Sequence, residues 1–142
     1  MAKYIQPSTI LGQAYQMNGY SHAVVLPPNA RLVIASGLPG FCEKKMGIVT
    51  ASPRDQIIAC FDNCDVALKA AGVTDGLQSA HKVHVFMTDV KDEPTVMAVW
   101  KEKYPDHRPT WMGLGVSALC APGMIIEIQV EAHVVPGSEG KL

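Results

Sequence analysis

No stretch of this chain comes near the ~20 consecutive apolar residues that a membrane-spanning helix needs. Hydrophobic residues nevertheless make up 48% of it, ample for a core. Basic clusters are also missing. Lys44-Lys45 is the only adjacent basic pair, and the formal net charge is -1. Binding to nucleic acid by phosphate neutralisation normally needs a basic stripe, so that class is disfavoured. No C-x-x-C pair joins any of Cys42, Cys60, Cys64 and Cys120. This removes the zinc-ribbon and thioredoxin-type readings and leaves free thiols as the default. The histidines have no ligand-like spacing, so no metal site and no cofactor is expected. The segment MAKYIQPSTILGQAYQ lacks an apolar stretch of signal-peptide length. A cytoplasmic location is expected. The terminal Gly140-Lys141-Leu142 is near the S-K-L peroxisomal signal but lacks its serine.

The chain has 142 residues with no repeat, no low-complexity segment and no long linker, which predicts a single domain over 1–142. Residues 22–26 (HAVVL) and 31–36 (RLVIAS) read as strands. Pro27-Pro28-Asn29 turns between them, so a hairpin is the simplest pairing. The clearest helix follows. Ser52 is an N-cap residue, Pro53 sits at the first helical position, and Asp55 is three residues past the cap. Ile57, Phe61, Cys64, Leu68 and Ala71 make one apolar stripe, and Gly72 stops the helix. Cys60 and Cys64 are read as small core thiols. Residues 80–87 predict a strand, and 93–104 a second helix capped by Asp92. A strand begins near Trp111, and residues 125–135 form the last one. The order is ββαβαββ, an α+β fold with a mixed sheet and two helices on one face.

The last strand alternates strictly. Ile126, Ile128, Val130, Ala132 and Val134 point one way; Glu127, Gln129, Glu131 and His133 point the other. The stretch HRPTWMGLGV (107–116) alternates too, yet one of its faces carries Trp111, Gly113 and Gly115. Glycine within a strand marks a bulge or a close approach of another group. We place these three residues on the uncovered face, with Glu127 and Gln129, against a neighbouring chain or ligand. His81 and His84 fall on opposite faces of a regular strand.

The ordered motifs NGYSHAV (18–24), LVIASGLPG (32–40), NCDVALKAAG (63–72), VHVFMTDVKD (83–92), HRPTW (107–111) and EIQVEAHV (127–134) resemble the RidA/YjgF family. The resemblance covers roughly residues 18 to 134. It implies a chorismate-mutase-like fold and a homotrimer with three small-molecule clefts between subunits. It also implies hydrolysis of reactive imines and enamines to keto acids and ammonia. In such proteins an arginine after a Pro-x pair grips the substrate carboxylate with a fork of donors. Here Pro109-Thr110 is followed by Trp111, and Met112 replaces the serine that comes next in the family. Other positions match. Tyr20 corresponds to a tyrosine lining the cleft, Ser36 to a serine whose loop contacts ligand, and Glu127 to a glutamate that binds water or ligand. His22 stands where a glutamine is frequent, and Met97 where an asparagine is often found.

Arg108 lies three residues from Trp111, about 10 Å along an extended chain, and does not simply replace the arginine. A flat indole with one donor suits an apolar or aromatic ligand; it also suits a subunit interface. The resemblance therefore implies a RidA-like enzyme with an altered substrate. Glu127 and Tyr20 would carry proton transfer or hold water. Ser36, Trp111, His22 and Met97 would line the ligand. The alternatives are a non-catalytic metabolite-binding or chaperone-like trimer and, with less support, an endoribonuclease or translation inhibitor.

Overall fold

A computed structural model describes residues 1–137. The Gly140-Lys141-Leu142 terminus lies outside the described residues. The elements in order are β1 (Lys3–Ile5), α1 (Ile10–Asn18), β2 (Ala23–Val25), β3 (Arg31–Ile34), β4 (Leu38–Pro39), β5 (Phe41–Cys42), β6 (Gly47–Ile48), α2 (Pro53–Ala70), β7 (Ala80–Met87), α3 (Glu93–Lys103), β8 (Thr110–Gly115) and β9 (Ile126–Val134). The predicted ββαβαββ order is present, with elements the sequence pattern did not announce: β1 and α1 before it, and the short strands β4, β5 and β6 between β3 and α2. Thr9 accepts from the Gly12 backbone to start α1, and Gly19 ends it at φ 95°. Among the described residues, no helix is long and apolar enough to cross a membrane.

The predicted hairpin is not formed. β2 pairs with β1 and β3 pairs with β9, both antiparallel. Two strands close in sequence have parted because each finds a longer-range partner. The main sheet runs β3-β9-β7-β8, with β4 also on β9, and only the β7–β8 pair is parallel. A parallel pair needs a crossover, and α3 supplies it.

α2 forms as its sequence dictates. Ser52 Oγ accepts from the Asp55 N–H at 3.0 Å, and Gly72 takes φ 94° just beyond the end. Its stripe of Ile57, Cys60, Phe61, Cys64 and Leu68 is fully buried against β9. The two thiols are core groups. Cys60 Sγ donates to the Leu38 carbonyl and Cys64 Sγ to that of Ile128, and burial pushes both thiols well above their ordinary range. Gln56, also on α2, is a buried polar knot. Its amide donates to the carbonyls of Val49 and Gly123 and accepts from the Ile125 N–H, so it ties two loops to the helix. Asp92 makes no side-chain cap to α3. Asp89 instead caps the short 3-10 turn, residues 90–92, that leads into α3, accepting from the Lys91 N–H.

The register of β8 corrects the predicted faces. Trp111, Gly113 and Gly115 stand beside Val83, Val85 and Met87, which are buried under the helices. Partners across a ladder share a face, so the glycines face α3 rather than the open side. A Cβ at Gly113 would lie 3.1 Å from Glu93 Oε2, and one at Gly115 would lie 2.8 Å from Val90 Cγ1. What approaches these glycines is the chain's own crossover. The open face carries Leu32, Ile34, His84, Phe86, Met112 and Leu114 along with Glu127, Gln129, Glu131 and His133.

Candidate functional site

The site residues fall into two groups, held by different elements. The first is on the open face. β3 breaks after Ile34, and β4 resumes the pairing with β9 at Leu38 and Pro39. The turn between them is Ala35-Ser36-Gly37. It is fastened to β9 by the Ala35 N–H on the Val130 carbonyl at 3.1 Å, and by the Gln129 amide on the Ala35 carbonyl at 3.1 Å. A Cβ at Gly37 would collide with the Glu127 carboxylate, so that carboxylate lies directly against the turn. Exposed Ser36 is the next residue. Glu127 is half-buried and in register with Phe86, which is itself in register with Leu114. A carboxylate acceptor beside a hydroxyl and a bare glycine backbone is a place where a water can be held.

The second group is at the β8 edge, on the helix side. Ser21 is buried and anchors it: its N–H donates to the Pro109 carbonyl at 2.9 Å and its hydroxyl to the Arg108 carbonyl at 2.6 Å. That pairing brings Tyr20 over Trp111, their rings 5.7 Å apart and 15° from parallel. Tyr15 of α1 stands edge-on to both Tyr20 (5.1 Å) and His22 (4.4 Å). Trp111 also meets the fully buried Trp100 of α3 edge-on at 5.3 Å. Burial raises the Tyr20 phenol above its usual value, and the nearby Glu93 carboxylate and Tyr15 add to the shift. Tyr20 is therefore a protonated donor at neutral pH. Met97 is half-buried on α3. Arg108 takes no part: its Nε donates to the Gln16 carbonyl at 3.3 Å and holds α1.

Tyr20, Trp111 and His22 thus come together, and so do Glu127 and Ser36. Within one chain the two groups stay apart, because Trp111 shares a face with buried Val83 while Glu127 shares the opposite face with Phe86. Two residues were missed by sequence reasoning. Glu93 was read only as the start of a helix, and Tyr15 was not singled out. The signal for Glu93 was the crossover itself, since a helix joining parallel strands must begin over one of them.

A third cluster was also unforeseen. A register irregularity between Ala80 and Lys82 turns His81 toward β9. There its Nδ1 lies 3.0 Å from Nδ1 of His133, and its Nε2 lies 3.8 Å from Glu131, which also pairs with Lys82 at 3.0 Å. The bulge overturns the expectation that His81 and His84 occupy opposite faces. Desolvation first, then His133 and Lys82, lower His81 to a pKa of about 4, against an upward pull from Glu131.

Comparison with known proteins gives these arrangements a context. No curated protein matches the chain significantly. Among solved structures, it is similar to a Rid-family protein of unknown function from Yersinia pestis, with a TM-score of 0.79 and 20% identity over 94% of this chain and 98% of that one. It is similar to a putative endoribonuclease from Thermotoga maritima, with a TM-score of 0.65 and 27% identity over 80% and 84%. It is also similar to RidA from an Antarctic Psychrobacter, at 0.65 and 24% over 82% and 95%. The family described as Endoribonuclease L-PSP matches residues 12–134, nearly the whole chain. The chain belongs to that family, the RidA/YjgF group that its motifs resemble.

Proposed function

We propose that this protein is a RidA-like hydrolase of imines or enamines, working in clefts between the subunits of a homotrimer. The observation that carries the reading is Glu127, its carboxylate laid against Gly37 beside Ser36 on the open face of the sheet. There it accepts hydrogen bonds from a water and aims that water at the C=N carbon. Tyr20, held protonated, donates to the developing amine or carbinolamine. Glu127 and Tyr20 lie on opposite faces of one sheet, so a complete site takes one group from each of two copies. Exposed Leu32, Ile34, Met112 and Leu114 supply an apolar surface for that contact. Trp111, His22 and Met97 shape the pocket in place of an arginine grip, which alters the range of substrates.

The test generates imines with an amino-acid or amine oxidase and traps them with semicarbazide. Trapping should slow in the presence of the protein. The effect should fall by about two orders of magnitude or more in Glu127→Gln, the usual scale for a general acid or base, while light scattering still reports a trimer. An assembled trimer that alters the trapping of no imine refutes the proposal. RNA incubated under the same conditions should remain intact; degradation by the purified trimer would favour the endoribonuclease reading instead.

A further inference from the structure

We infer that this site takes its substrate as a cation, a protonated imine of an amine without a carboxylate, held by the Glu93 carboxylate against the rings of Tyr20 and Trp111. The hydrolytic chemistry rests on the function proposed above; the sign of the ligand's charge rests on three observations independent of it.

The first is aromatic. Tyr20 and Trp111 lie 15° from parallel, and Tyr15 stands edge-on to Tyr20. All three are half-buried, so part of each remains accessible. Ring faces carry negative quadrupolar charge and attract cations, tryptophan most strongly. The second is the carboxylate. Glu93 Oε2 reaches within 3.1 Å of the point where a Cβ of Gly113 would stand, and the indole Nε1 of Trp111 is 4.0 Å from that point. Gly113, having no side chain, thus lets the Glu93 carboxylate stand close to the indole edge, with Met87 Cε 3.5 Å from the same point. The third is the lack of a compensating charge. Among the described residues Glu93 is in no salt bridge. The cations that flank this edge are engaged elsewhere: Lys101 donates to the Met17 carbonyl and Arg108 to that of Gln16.

A carboxylate substrate entering here would find no guanidinium and would face Glu93. An iminium ion would find attraction from both the rings and the carboxylate. The reaction balances without any co-reactant but water. Water adds through oxygen to the carbon of R–CH=NH2+ and the C=N π pair goes to nitrogen. One proton passes from oxygen to nitrogen, the C–N bond breaks with its electron pair going to nitrogen, the remaining hydroxyl proton follows to the ammonia, and the products are R–CHO and NH4+.

Benzamidine, benzamide and benzoate form a planar series of nearly equal size, charged positive, neutral and negative. Their affinities for the full-length protein can be read by tryptophan fluorescence or calorimetry. Benzamidine should bind about tenfold or more tightly than benzamide, with benzoate weakest, in line with a cation–π contact reinforced by a carboxylate. Glu93→Gln should bring benzamidine down to the level of benzamide, and Trp111→Arg should favour benzoate. The inference is overturned if benzoate equals or exceeds benzamidine, if benzamidine does not bind, or if its advantage survives Glu93→Gln. The two readings fail separately. Binding of benzamidine through Glu93 without acceleration of any imine would sink the hydrolase and leave the cation site. Equal hydrolysis of amine-derived and amino-acid-derived imines would do the reverse.

Discussion

The two faces of one sheet differ in what they were given to bury. On the helix side Val83, Val85, Ile126, Ile128 and Val130 are all but inaccessible beneath α2 and α3. On the open side Leu32, Ile34, Met112 and Leu114 keep between 44% and 61% of their surface, interleaved with Glu127, Gln129 and Glu131. Apolar residues thus occur on both faces, but only one has found its cover within the chain. An antiparallel sheet commonly solvates its second face with polar side chains. This one does so only in part. The first face accounts for the stability of the subunit; the second carries Glu127, on which the proposed chemistry rests.

The strongest way to break this contrast is through Trp100. Its indole is fully buried between Phe61 (5.5 Å) and Tyr104 (4.8 Å), edge-on to Trp111, and its N–H donates to the His107 carbonyl at 3.4 Å. Trp100→Ala should cost about 3–5 kcal/mol, the range for removing a large buried aromatic. Met112→Ala, nearly half exposed on the other face, should cost an isolated subunit less than about 1 kcal/mol. Urea titrations of the two variants at a concentration low enough to separate the subunits make the measurement. Equal losses would mean that the open face is as much a core as the covered one.

The elements that were legible in the sequence are those whose signals are local. The Ser52-Pro53-x-Asp55 start of α2 and its apolar stripe mark the helix, because capping and periodicity act within one or two turns; only Ala71, exposed at the C-cap, falls outside the buried stripe. The alternation of β9 fixes its buried face in the same way. Long-range pairing was not legible. Nothing within 22–36 says that β2 will leave β3 for β1, since that choice depends on partners far along the chain. The face of β8 was misread for a related reason. Trp111 with two glycines looks sparse in one dimension, yet the crossover fills that space with Val90 and with Glu93 and Trp100 of α3. The family motifs placed Glu127 and Ser36 together. They could not reveal the placement of Glu93, which comes only from the crossover that sets it over Gly113.

A smaller effect should appear on acidification. His81 is buried on the fringe of the open face, and its pKa is lowered to about 4 by burial and by His133 and Lys82, with Glu131 pulling the other way. The folded value is depressed below the ordinary histidine value near 6.5. Its contribution is therefore complete above pH ~6.5 and is lost as the pH falls through about 4. Linkage puts the ceiling on the order of 3 kcal/mol, since each tenfold loss of proton affinity on folding is worth about 1.4 kcal/mol. Denaturation curves between pH 7 and 4 should flatten in His81→Gln relative to the parent. An unchanged slope would mean that the His81–His133 pair is not the group that acid attacks.

The smallest effect on a single chain should carry the largest consequence for assembly. Ile34 is 61% exposed and stands opposite Glu131 in the β3–β9 ladder. In Ile34→Lys the ammonium group would face a carboxylate across the strands, so an isolated subunit should change by less than about 0.5 kcal/mol. In the proposed trimer the same side chain would be pressed into an apolar contact, where an added charge is costly to desolvate. Self-association should therefore weaken, and at dilutions where the variant has fallen apart into folded subunits its unfolding midpoint should stop following protein concentration while the parent's still does, as mass action requires. Sedimentation velocity over a dilution series separates the cases. Dissociation with a normally folded subunit would place the missing cover of the open face in a second copy and join Glu127 to Tyr20 across it. An undisturbed assembly would move the interface elsewhere, and with it the cleft proposed around Glu127.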